Sequence, residues 1–367
     1  MEGLGVTNVL YPDFWRGKRV LVTGHTGFKG GWLATWLLEM GARVVGYALK
    51  PETEPSFFSQ CGLAARLESV LGDVRHIDDL ADVSCRFNPE VVFHLAAQPI
   101  VRRAYRDPVE TFGTNVMGTV AALEIVRRIP AVRAVVIVTS DKCYENREWV
   151  WGYREEDPLG GRDPYSASKA CAELVTTAYL QSYFGGKDRL VGVATVRAGN
   201  VIGGGDWVED RLVPDAIRAL QRDEPLVIRN PRSLRPWQHV LEPLGGYLML
   251  TERLYGDGPR WSGAWNFGPR DEDAVTVATL ADMVIKQWGN GRWVAASEMG
   301  APHEAHRLKL DCSKARQVLG WRPRLTLEEA VALTATWYRK AAASPTDSDM
   351  YRLTVEQIRS YETRLKR

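Results

Sequence analysis

The sequence predicts an α/β fold in which a doubly wound parallel sheet is joined to a smaller mixed α/β region. Over the first 200 residues, short runs rich in β-branched residues alternate with amphipathic stretches of helix length. This alternation is typical of parallel strands covered by helices on both faces. A chain of 367 residues also exceeds one ordinary compact core, so a second unit is expected.

Each strand and helix of this fold has its own signal in the sequence. Strands are predicted at 19–23, 43–49, 91–96, 134–139 and 190–196, with a further short strand before Asp73. Amphipathic segments predict helices near 30–39, 78–87, 108–128 and 165–184. After Gly199 the chain becomes rich in glycine and proline punctuation. We therefore predict domains at residues 1–199 and 200–345, with some segments of the second returning to the first sheet, and a solvated helical tail at 346–367.

Composition narrows the class of protein. Lys and Arg number 47 against 45 Asp and Glu, a formal net charge of +2, which is too balanced for a nucleic-acid-binding protein. No apolar run approaches the length of a membrane span. The five cysteines form no C-x-x-C pair, which argues against a disulfide framework or a zinc ribbon. These features predict a cytoplasmic protein with no nucleic-acid or membrane partner and no metal.

A buried strand leads directly into a glycine-rich turn and an apolar helix in the segment VLVTGHTGFKG. Glycines at this G-x-x-G-x-x-G spacing allow a tight turn and a close approach of the backbone to a pyrophosphate, which the N-terminus of the helix stabilises. The segment predicts a Rossmann-type sheet whose domain, 1–199, binds a dinucleotide. The candidate contacts in the turn are Gly24, Thr26, Gly27, Phe28, Lys29 and Gly30.

The ends of the other strands bear on which dinucleotide is bound. The second strand ends in the sequence YALKP, which lacks the carboxylate that usually binds the adenosine ribose. Lys50 in that segment leaves NADP open, through a contact with a 2′-phosphate, although a solvated lysine at a strand end is the simpler interpretation. We expect NAD. The remaining candidate cofactor contacts, all at strand ends, are Asp73, Val74, Leu95, Ala96 and Ala97.

Tyr165 and Lys169 are four residues apart, on one face of the helix that Pro164 begins. A neighbouring ammonium favours the phenolate, so we expect the pKa of Tyr165 to be lowered toward the working range. The tyrosine then takes a proton from a hydroxyl while hydride leaves the same carbon. Both residues are also candidate cofactor contacts.

The segment TSDKCY follows a buried strand at the edge where open α/β sheets bind ligands. It brings the hydroxyl of Ser140, the carboxylate of Asp141 and the amine of Lys142 to that edge. A capped turn with a surface Asp–Lys pair is the alternative. Gln98 and Asn115 are further candidates for substrate contact, since an asparagine inside a helix costs propensity unless its amide is bonded.

Four longer segments carry a family resemblance: GHTGFKGGWL, TSDKCYENREWVWGYRE, DPYSASKACAELV and RAGNVIGGGDW. They identify the chain as similar to the extended short-chain dehydrogenase/reductase superfamily and, within it, to the CDP-glucose 4,6-dehydratases, which are NAD-dependent nucleotide-sugar enzymes. The resemblance spans most of residues 19–320. Sugar-nucleotide dehydratases more broadly have Thr-Asp-Glu at the strand end, whereas this chain has Ser140-Asp141-Lys142, which is a feature of the CDP-sugar branch.

The resemblance implies conversion of CDP-D-glucose to CDP-4-keto-6-deoxy-D-glucose and water, with NAD recycled in each turnover. It implies that Tyr165, poised by Lys169 and oriented with Ser140, removes the proton of the C4 hydroxyl. It makes Asp141 the acid that protonates the departing C6 hydroxyl. Lys142 is either a neutral base for the C5 proton or a charged group that stabilises the enolate, and the sequence leaves both roles open.

The second region is expected to hold the nucleotide diphosphate of the substrate. The planar guanidinium of arginine binds phosphate oxygens in pairs, which makes Arg211, Arg229 and Arg235 candidates. The resemblance supports Arg235, and it adds Asn200 as a diphosphate contact and Glu304 as a nucleoside contact.

Two other functions stay open. A CDP-sugar epimerase of the same superfamily shares the cofactor and the Tyr–Lys pair but needs no acid to expel a C6 hydroxyl, so Asp141 and Lys142 favour dehydration. A non-catalytic NAD-binding protein has no use for the five catalytic candidates together. The helices at 108–128 and 165–184 resemble those that pair across a two-fold axis in this superfamily, so a homodimer or a larger homo-oligomer is expected.

Overall fold

The structure, a computed structural model, describes residues 10–185, 190–296 and 307–366. Its strands are β1 (Arg19–Thr23), β2 (Arg43–Ala48), β3 (Glu68–Leu71), β4 (Val91–His94), β5 (Ala134–Val138), β6 (Gly192–Ala198), β7 (Asn200–Ile202), β8 (Leu226–Ile228), β9 (Leu234–His239), β10 (Gly263–Phe267), β11 (Ala274–Thr276) and β12 (Trp293–Ala295).

Its α-helices are α1 (Pro12–Trp15), α2 (Phe28–Glu39), α3 (Phe57–Gln60), α4 (Ile77–Phe87), α5 (Val101–Arg106), α6 (Pro108–Phe112), α7 (Gly118–Arg128), α8 (Pro164–Tyr179), α9 (Leu212–Gln221), α10 (Leu241–Gly256), α11 (Gly258–Trp261), α12 (Val277–Trp288), α13 (Leu327–Ala342) and α14 (Asp347–Leu365). Short 3-10 helices lie at Leu63–Ala65, Asp141–Cys143 and Asp271–Asp273, and π-helical turns at Gly113–Met117, Leu180–Phe184 and Ala315–Leu319.

Seven strands form a parallel main sheet in the order β10-β6-β5-β4-β1-β2-β3. The chain runs outward from β1 to β3, returns to place β4 beside β1, and then continues toward the other edge. The predicted doubly wound sheet is therefore confirmed, and the predicted strands match those of the structure to within two residues at each end. The reversal between β1 and β4 is where such sheets open a crevice for ligands.

The central strands bury side chains on both faces of the sheet. Val20 and Val22 belong to the apolar layer that includes α2 and α10, whereas Leu21 between them belongs to the layer that includes α4 and α7. All three residues are at most 1% exposed. Burial on both faces requires nearly continuous apolar strands, which explains why these segments were recognisable in the sequence.

The second region contributes both to the main sheet and to its own small sheets. β10 pairs in parallel with β6 at the edge of the main sheet. β7, β9 and β11 form a three-stranded sheet, and β8 pairs with β12. The division of the chain into domains at residues 199 and 345 stays a prediction.

The C-terminal helix α14 packs on the Rossmann part of the molecule. Trp36 Nε1 donates to Glu362 Oε1 at 2.7 Å, and Arg359 pairs with Glu39 at 3.0 Å. Tyr361 is only 1% exposed. The expectation of a solvated tail is corrected, because one face of this helix completes the core over α2. None of the described helices is long and apolar enough to cross a bilayer.

Candidate active site

A crevice of about 1050 Å³ opens at the carboxyl ends of the central strands and extends to the second region. This volume is at the upper end of the range for small-molecule sites. Of the predicted site residues, it is lined by Gly24, Thr26, Gly27, Phe28, Lys29, Gly30, Asp73, Val74, Leu95, Ala96, Ala97, Gln98, Ser140, Asp141, Lys142, Tyr165, Lys169, Asn200, Arg211, Arg229 and Arg235. Asn115 is not part of that lining, and Glu304 lies outside the described residues.

The glycine-rich turn between β1 and α2 has the geometry that a dinucleotide requires. Gly24 has a φ of 77°, and a Cβ there would lie 2.7 Å from the backbone nitrogen of Ala96. A Cβ at Gly30 would lie 2.1 Å from the Gly24 carbonyl oxygen, so both glycines are needed for close packing. Gly27 is exposed, and no side chain of the described residues caps α2. The first N–H groups of α2 are therefore accessible to a pyrophosphate.

The ends of β2 and β3 form the far side of the crevice. Lys50 is exposed there. The Asp73 carboxylate is gripped by Arg75, whose Nε lies 3.0 and 2.9 Å from the two carboxylate oxygens, and this hydrogen bonding lowers the pKa of Asp73. Glu52, which sequence reasoning missed, also lines the crevice and pairs with Arg103 at 2.6 Å.

The end of β4 is fixed by a buried hydroxyl. The backbone N–H groups of Leu95 and Ala96 donate to Thr23 Oγ1, each at 3.2 Å. The same hydroxyl lies 2.8 Å from His94 Nδ1, and burial lowers the pKa of His94 to about 3, so this imidazole is neutral. The arrangement holds Ala96 and Ala97 at the crevice wall, where their small side chains permit the approach of a flat ring.

Asn115 acts through other residues. It is 2% exposed, its Oδ1 accepts from the Gln98 N–H at 2.8 Å, and its Nδ2 donates to the Gln98 carbonyl at 3.1 Å and to Ser168 Oγ at 2.8 Å. Ser168 Oγ in turn donates to the Tyr165 carbonyl at 2.7 Å. The amide is thus bonded, as its place in a helix indicated. We therefore assign Asn115 a positioning role in place of the substrate contact that the sequence predicted. Gln98 remains a candidate for substrate contact.

The predicted Tyr–Lys pair projects from the first turns of α8. Asp163 caps the helix by accepting from the Ser166 N–H at 2.9 Å, which fixes the position of Tyr165 behind Pro164. Tyr165 is 8% exposed and Lys169 is 5% exposed. The Lys169 ammonium donates to the carbonyl at the end of β5 at 3.2 Å. The pair is therefore held against the same strand end from which the TSDKCY segment leaves.

The expectation of a lowered pKa for Tyr165 is wrong. Burial raises the pKa of Tyr165 to about 12. The hydrogen bond with Ser140 opposes this rise, whereas the charge of Asp141 adds to it. Burial likewise lowers the pKa of Lys169 to about 8, and the charge of Lys29 lowers it further. The low-dielectric crevice thus disfavours both the phenolate and the ammonium.

Ser140, Asp141 and Lys142 form a compact turn opposite Tyr165. Ser140 Oγ donates to Asp141 Oδ1 at 2.9 Å and accepts from the Lys142 N–H at 3.2 Å. Asp141 is 5% exposed, and burial raises its pKa despite the nearby charge of Lys142. Lys142 Nζ lies 5.8 Å from the centre of the Tyr165 ring. A surface Asp–Lys pair is therefore excluded, because the Asp141 side chain is buried.

Lys29 links the glycine-rich turn to the catalytic turn. Burial lowers the pKa of Lys29 to about 8, and the charge of Arg211 lowers it further. The carboxylates of Asp141 and Asp206 oppose this shift. Lys29 therefore lies within electrostatic reach of both the proposed acid and the arginines of the second region, and not only of the dinucleotide turn.

In the second region, arginine side chains that line the crevice form ion pairs with neighbouring carboxylates. Arg211 Nη1 pairs with Asp206 at 2.7 Å, and Arg229 Nη1 pairs with Asp210 at 2.7 Å. Arg235 lies on β9 and donates to a backbone carbonyl at 3.0 Å. Asp206 was missed, although it stands in the GGGDW segment of the sequence. The roles of these arginines and of Asn200 toward a diphosphate stay predictions.

The profile of the GDP-mannose 4,6 dehydratase family matches residues 21–334. The chain belongs to this family. It is 55% identical to CDP-glucose 4,6-dehydratase of Salmonella typhimurium, over 89% of this chain and 92% of that protein. It is 27% identical to dTDP-glucose 4,6-dehydratase of Xanthomonas campestris pv. campestris, over 87% of this chain and 92% of the relative.

Solved structures of similar proteins share the fold. UDP-glucose 4-epimerase from Thermotoga maritima, solved with UDP-glucose, superposes with a TM-score of 0.76 at 24% identity, over 88% of this chain and 99% of that one. MoeE5 in complex with UDP-glucuronic acid and NAD superposes with a TM-score of 0.74 at 29% identity, with the same coverage. The resemblance that the motifs carried and the predicted Rossmann-type fold are both confirmed.

Proposed function

We propose that this protein is an NAD-dependent CDP-glucose 4,6-dehydratase, which converts CDP-D-glucose to CDP-4-keto-6-deoxy-D-glucose and water. The observation that carries the proposal is that Ser140, Asp141, Lys142 and Tyr165 line the same crevice as the glycine-rich turn. The 55% identity with the Salmonella typhimurium enzyme supports CDP-glucose as the substrate. A buried Asp141 whose pKa is raised supports dehydration over epimerisation, which needs no such acid.

Each catalytic step is assigned to a side chain of this chain. NAD, which the glycine-rich turn at Gly24, Gly27 and Gly30 would hold, would supply the acceptor for the C4 hydride and the donor that returns it to C6. The phenolate oxygen of Tyr165, formed when this hydroxyl ionises beside Ser140, accepts the C4 hydroxyl proton. Asp141, whose pKa burial raises, donates a proton to the departing C6 hydroxyl, which leaves as water. Lys142 either removes the C5 proton or stabilises the enolate while another group moves that proton, and C5 regains a proton when hydride returns to C6. Both roles place the ammonium or amine of Lys142 beside C5.

The test is incubation of the purified protein with NAD and CDP-glucose, followed by detection of the 4-keto-6-deoxy sugar by mass spectrometry. Parallel reactions contain dTDP-glucose, UDP-glucose and GDP-mannose, and Tyr165→Phe provides the control for contaminating activity. We expect loss of water from CDP-glucose at a rate well above that of the other three nucleotide sugars. No product from CDP-glucose, or equal rates with all four sugars, refutes the assignment of substrate.

We also propose that the protein is a homodimer assembled through α6, α7 and α8. Large apolar side chains are exposed on α6, on α8 and on the π-helical turns next to them: Val109 is 81% exposed, Met117 56%, Leu174 59% and Tyr183 54%. These elements contact one another, and exposed apolar side chains grouped on adjoining elements are a feature of protein interfaces. Sedimentation equilibrium is expected to give a dimer for the wild type and a monomer for Val109→Glu/Leu174→Glu. A monomeric wild type at micromolar concentration contradicts the proposal.

A cytoplasmic location is proposed from the state of the cysteines. All five are free thiols, and Cys61, Cys143 and Cys312 are buried. Free thiols in this number are typical of a reducing compartment. Fractionation of the producing cells is expected to place the protein with cytoplasmic markers, and recovery with extracellular or periplasmic markers overturns the proposal.

A further inference from the structure

A buried ion pair lies beneath the catalytic wall, between α8 and the ends of β5 and β6. Glu173 is 2% exposed and stands four residues after Lys169, on the helix face that also carries Tyr165. Arg197 on β6 is likewise 2% exposed, and its Nε and Nη2 donate to the two carboxylate oxygens at 2.9 and 2.8 Å. Neither residue lines the crevice.

The carboxylate is fully bonded to the strand ends that flank the catalytic turn. Besides the two bonds from Arg197, Glu173 accepts from Thr139 Oγ1 at 2.5 Å and from Thr195 Oγ1 at 2.6 Å. Thr139 immediately precedes Ser140. One carboxylate therefore joins the helix of the Tyr–Lys pair to the residue at which the catalytic turn begins.

The guanidinium holds the other end of the same turn. Arg197 Nη1 donates to the Tyr144 hydroxyl at 2.6 Å and to the Glu155 carbonyl at 3.1 Å. Tyr144 directly follows the 3-10 turn Asp141–Cys143, and its own hydroxyl donates to Asn266 Oδ1 at 2.8 Å. The turn is thus anchored at both ends, through Thr139 and Tyr144, on one ion pair.

Building upon the proposed function, we infer that the Glu173–Arg197 ion pair is a positioning device that sets the distance and orientation between Tyr165 and the Ser140–Asp141–Lys142 turn. Burying two charges is costly, and a pair of apolar residues would often stabilise a fold as well. What an apolar pair cannot supply is directional bonding to both Thr139 and Tyr144. A misplacement of about 1 Å between reacting groups costs about 100-fold in rate.

The pair also acts on the charge of Lys169. The groups that face this ammonium are Lys29 on α2, His94 on β4, Cys143 in the catalytic turn and Glu173 on its own helix. Of these, Glu173 provides the charge that favours the ammonium most strongly, against burial and Lys29, which lower the pKa of Lys169. Removal of the carboxylate is therefore expected to discharge Lys169 at a lower pH.

The central test is the double variant Glu173→Met/Arg197→Met. Because both charges are removed together, the double variant is expected to lose less stability than a variant that removes one charge and leaves the other buried and unpaired. We expect kcat with CDP-glucose to fall about 10- to 100-fold while KM changes little, since the pair touches no substrate and acts on the alignment of reacting groups. Hydrogen exchange is expected to rise in segments 139–144 and 164–179.

Single variants separate charge from geometry. Arg197→Lys keeps the positive charge but loses the two-pronged fork, so it is expected to lower kcat without moving the pH profile. Glu173→Gln keeps the shape but loses the charge, so the high-pH limb of kcat is expected to move to lower pH. Glu242→Gln is the matched control, because Glu242 is a buried carboxylate outside the crevice lining, and its kcat is expected to equal that of the wild type.

The outcomes are distinguishable from those of the proposed function. If the double variant keeps wild-type kcat, pH profile and exchange in both segments, the pair is only structural and the inference is wrong. If the wild type itself fails to dehydrate CDP-glucose, the proposed function fails. The exchange measurement still tests the inference in that case, because exchange that stays at wild-type levels overturns it without any activity assay.

Discussion

Glu242 provides a quantitative test of how burial controls protonation in this fold. It lies on α10, is 1% exposed, and its Oε1 accepts from the Arg324 and Leu325 N–H groups at 2.8 and 2.6 Å. Its Oε2 lies 2.7 Å from the Tyr361 hydroxyl on α14. Burial raises the pKa of Glu242 from 4.5 to about 7, and these hydrogen bonds only partly oppose the rise.

The sign and size of the effect follow from that shift. Since the folded protein holds this proton more tightly than the unfolded chain, the stabilisation is complete below the ordinary pKa and is lost as pH rises through about 7. The shift corresponds to about 3 kcal/mol of unfolding free energy between about pH 4.5 and pH 8. Glu242→Gln is isosteric with the protonated acid and keeps all three hydrogen bonds. Its stability relative to the wild type is therefore expected to improve by about 3 kcal/mol over the same range.

Urea unfolding followed by tryptophan fluorescence measures this difference. Trp321 Nε1 donates to the Glu242 carbonyl at 3.2 Å, so a fluorophore reports directly on the site. Comparing variant with wild type at each pH cancels the titration of other groups, such as Glu252, whose pKa burial raises to about 8. A stability difference between Glu242→Gln and the wild type that is the same at about pH 5 and about pH 8 refutes the reasoning.

The remaining predictions concern the catalytic wall. Tyr165→Phe is expected to lower turnover about 100- to 10,000-fold while NAD binding and Tm are unchanged, and undiminished turnover removes Tyr165 from its role. Asp141→Asn is expected to slow water loss by at least about 100-fold while solvent exchange at C5 of the sugar persists; equal loss of both rates shows that Asp141 acts before elimination. Lys142→Met distinguishes the two roles of that residue, because normal exchange at C5 in this variant excludes Lys142 as the base.

Most of the fold was predictable because its signals are local. The strand at β5 reads as five apolar residues, all buried, and Pro164 with the Asp163 cap places the start of α8 before Tyr165. The end of β4 was predicted two residues late. The Leu95 N–H group is shared between the carbonyl and the hydroxyl of Thr23, and the Ala96 N–H group donates to that hydroxyl, so the strand ends for a reason that no local pattern contains.

The properties that were missed depend on residues far apart in the chain. The sequence placed Lys169 beside Tyr165 and so indicated a lowered phenol pKa, but burial by both regions of the chain reverses that direction. Glu173 and Arg197 both lie within motifs quoted in the sequence analysis, but those motifs did not indicate that the two residues pair. Helical spacing places Glu173 on the face of Lys169, but its pairing with β6 is a property of the sheet order.

Tyr165 and Asp141 affect each other's proposed proton tasks. Burial raises the pKa of both groups. A charged Asp141 raises the pKa of Tyr165, so the phenol ionises more readily when Asp141 keeps its proton. The Tyr165 phenolate therefore forms more easily when Asp141 is protonated. In the proposed mechanism, oxidation at C4 and protonation at C6 therefore start from the same protonation state, with Tyr165 ionised and Asp141 protonated. Ser140 forms hydrogen bonds with both groups.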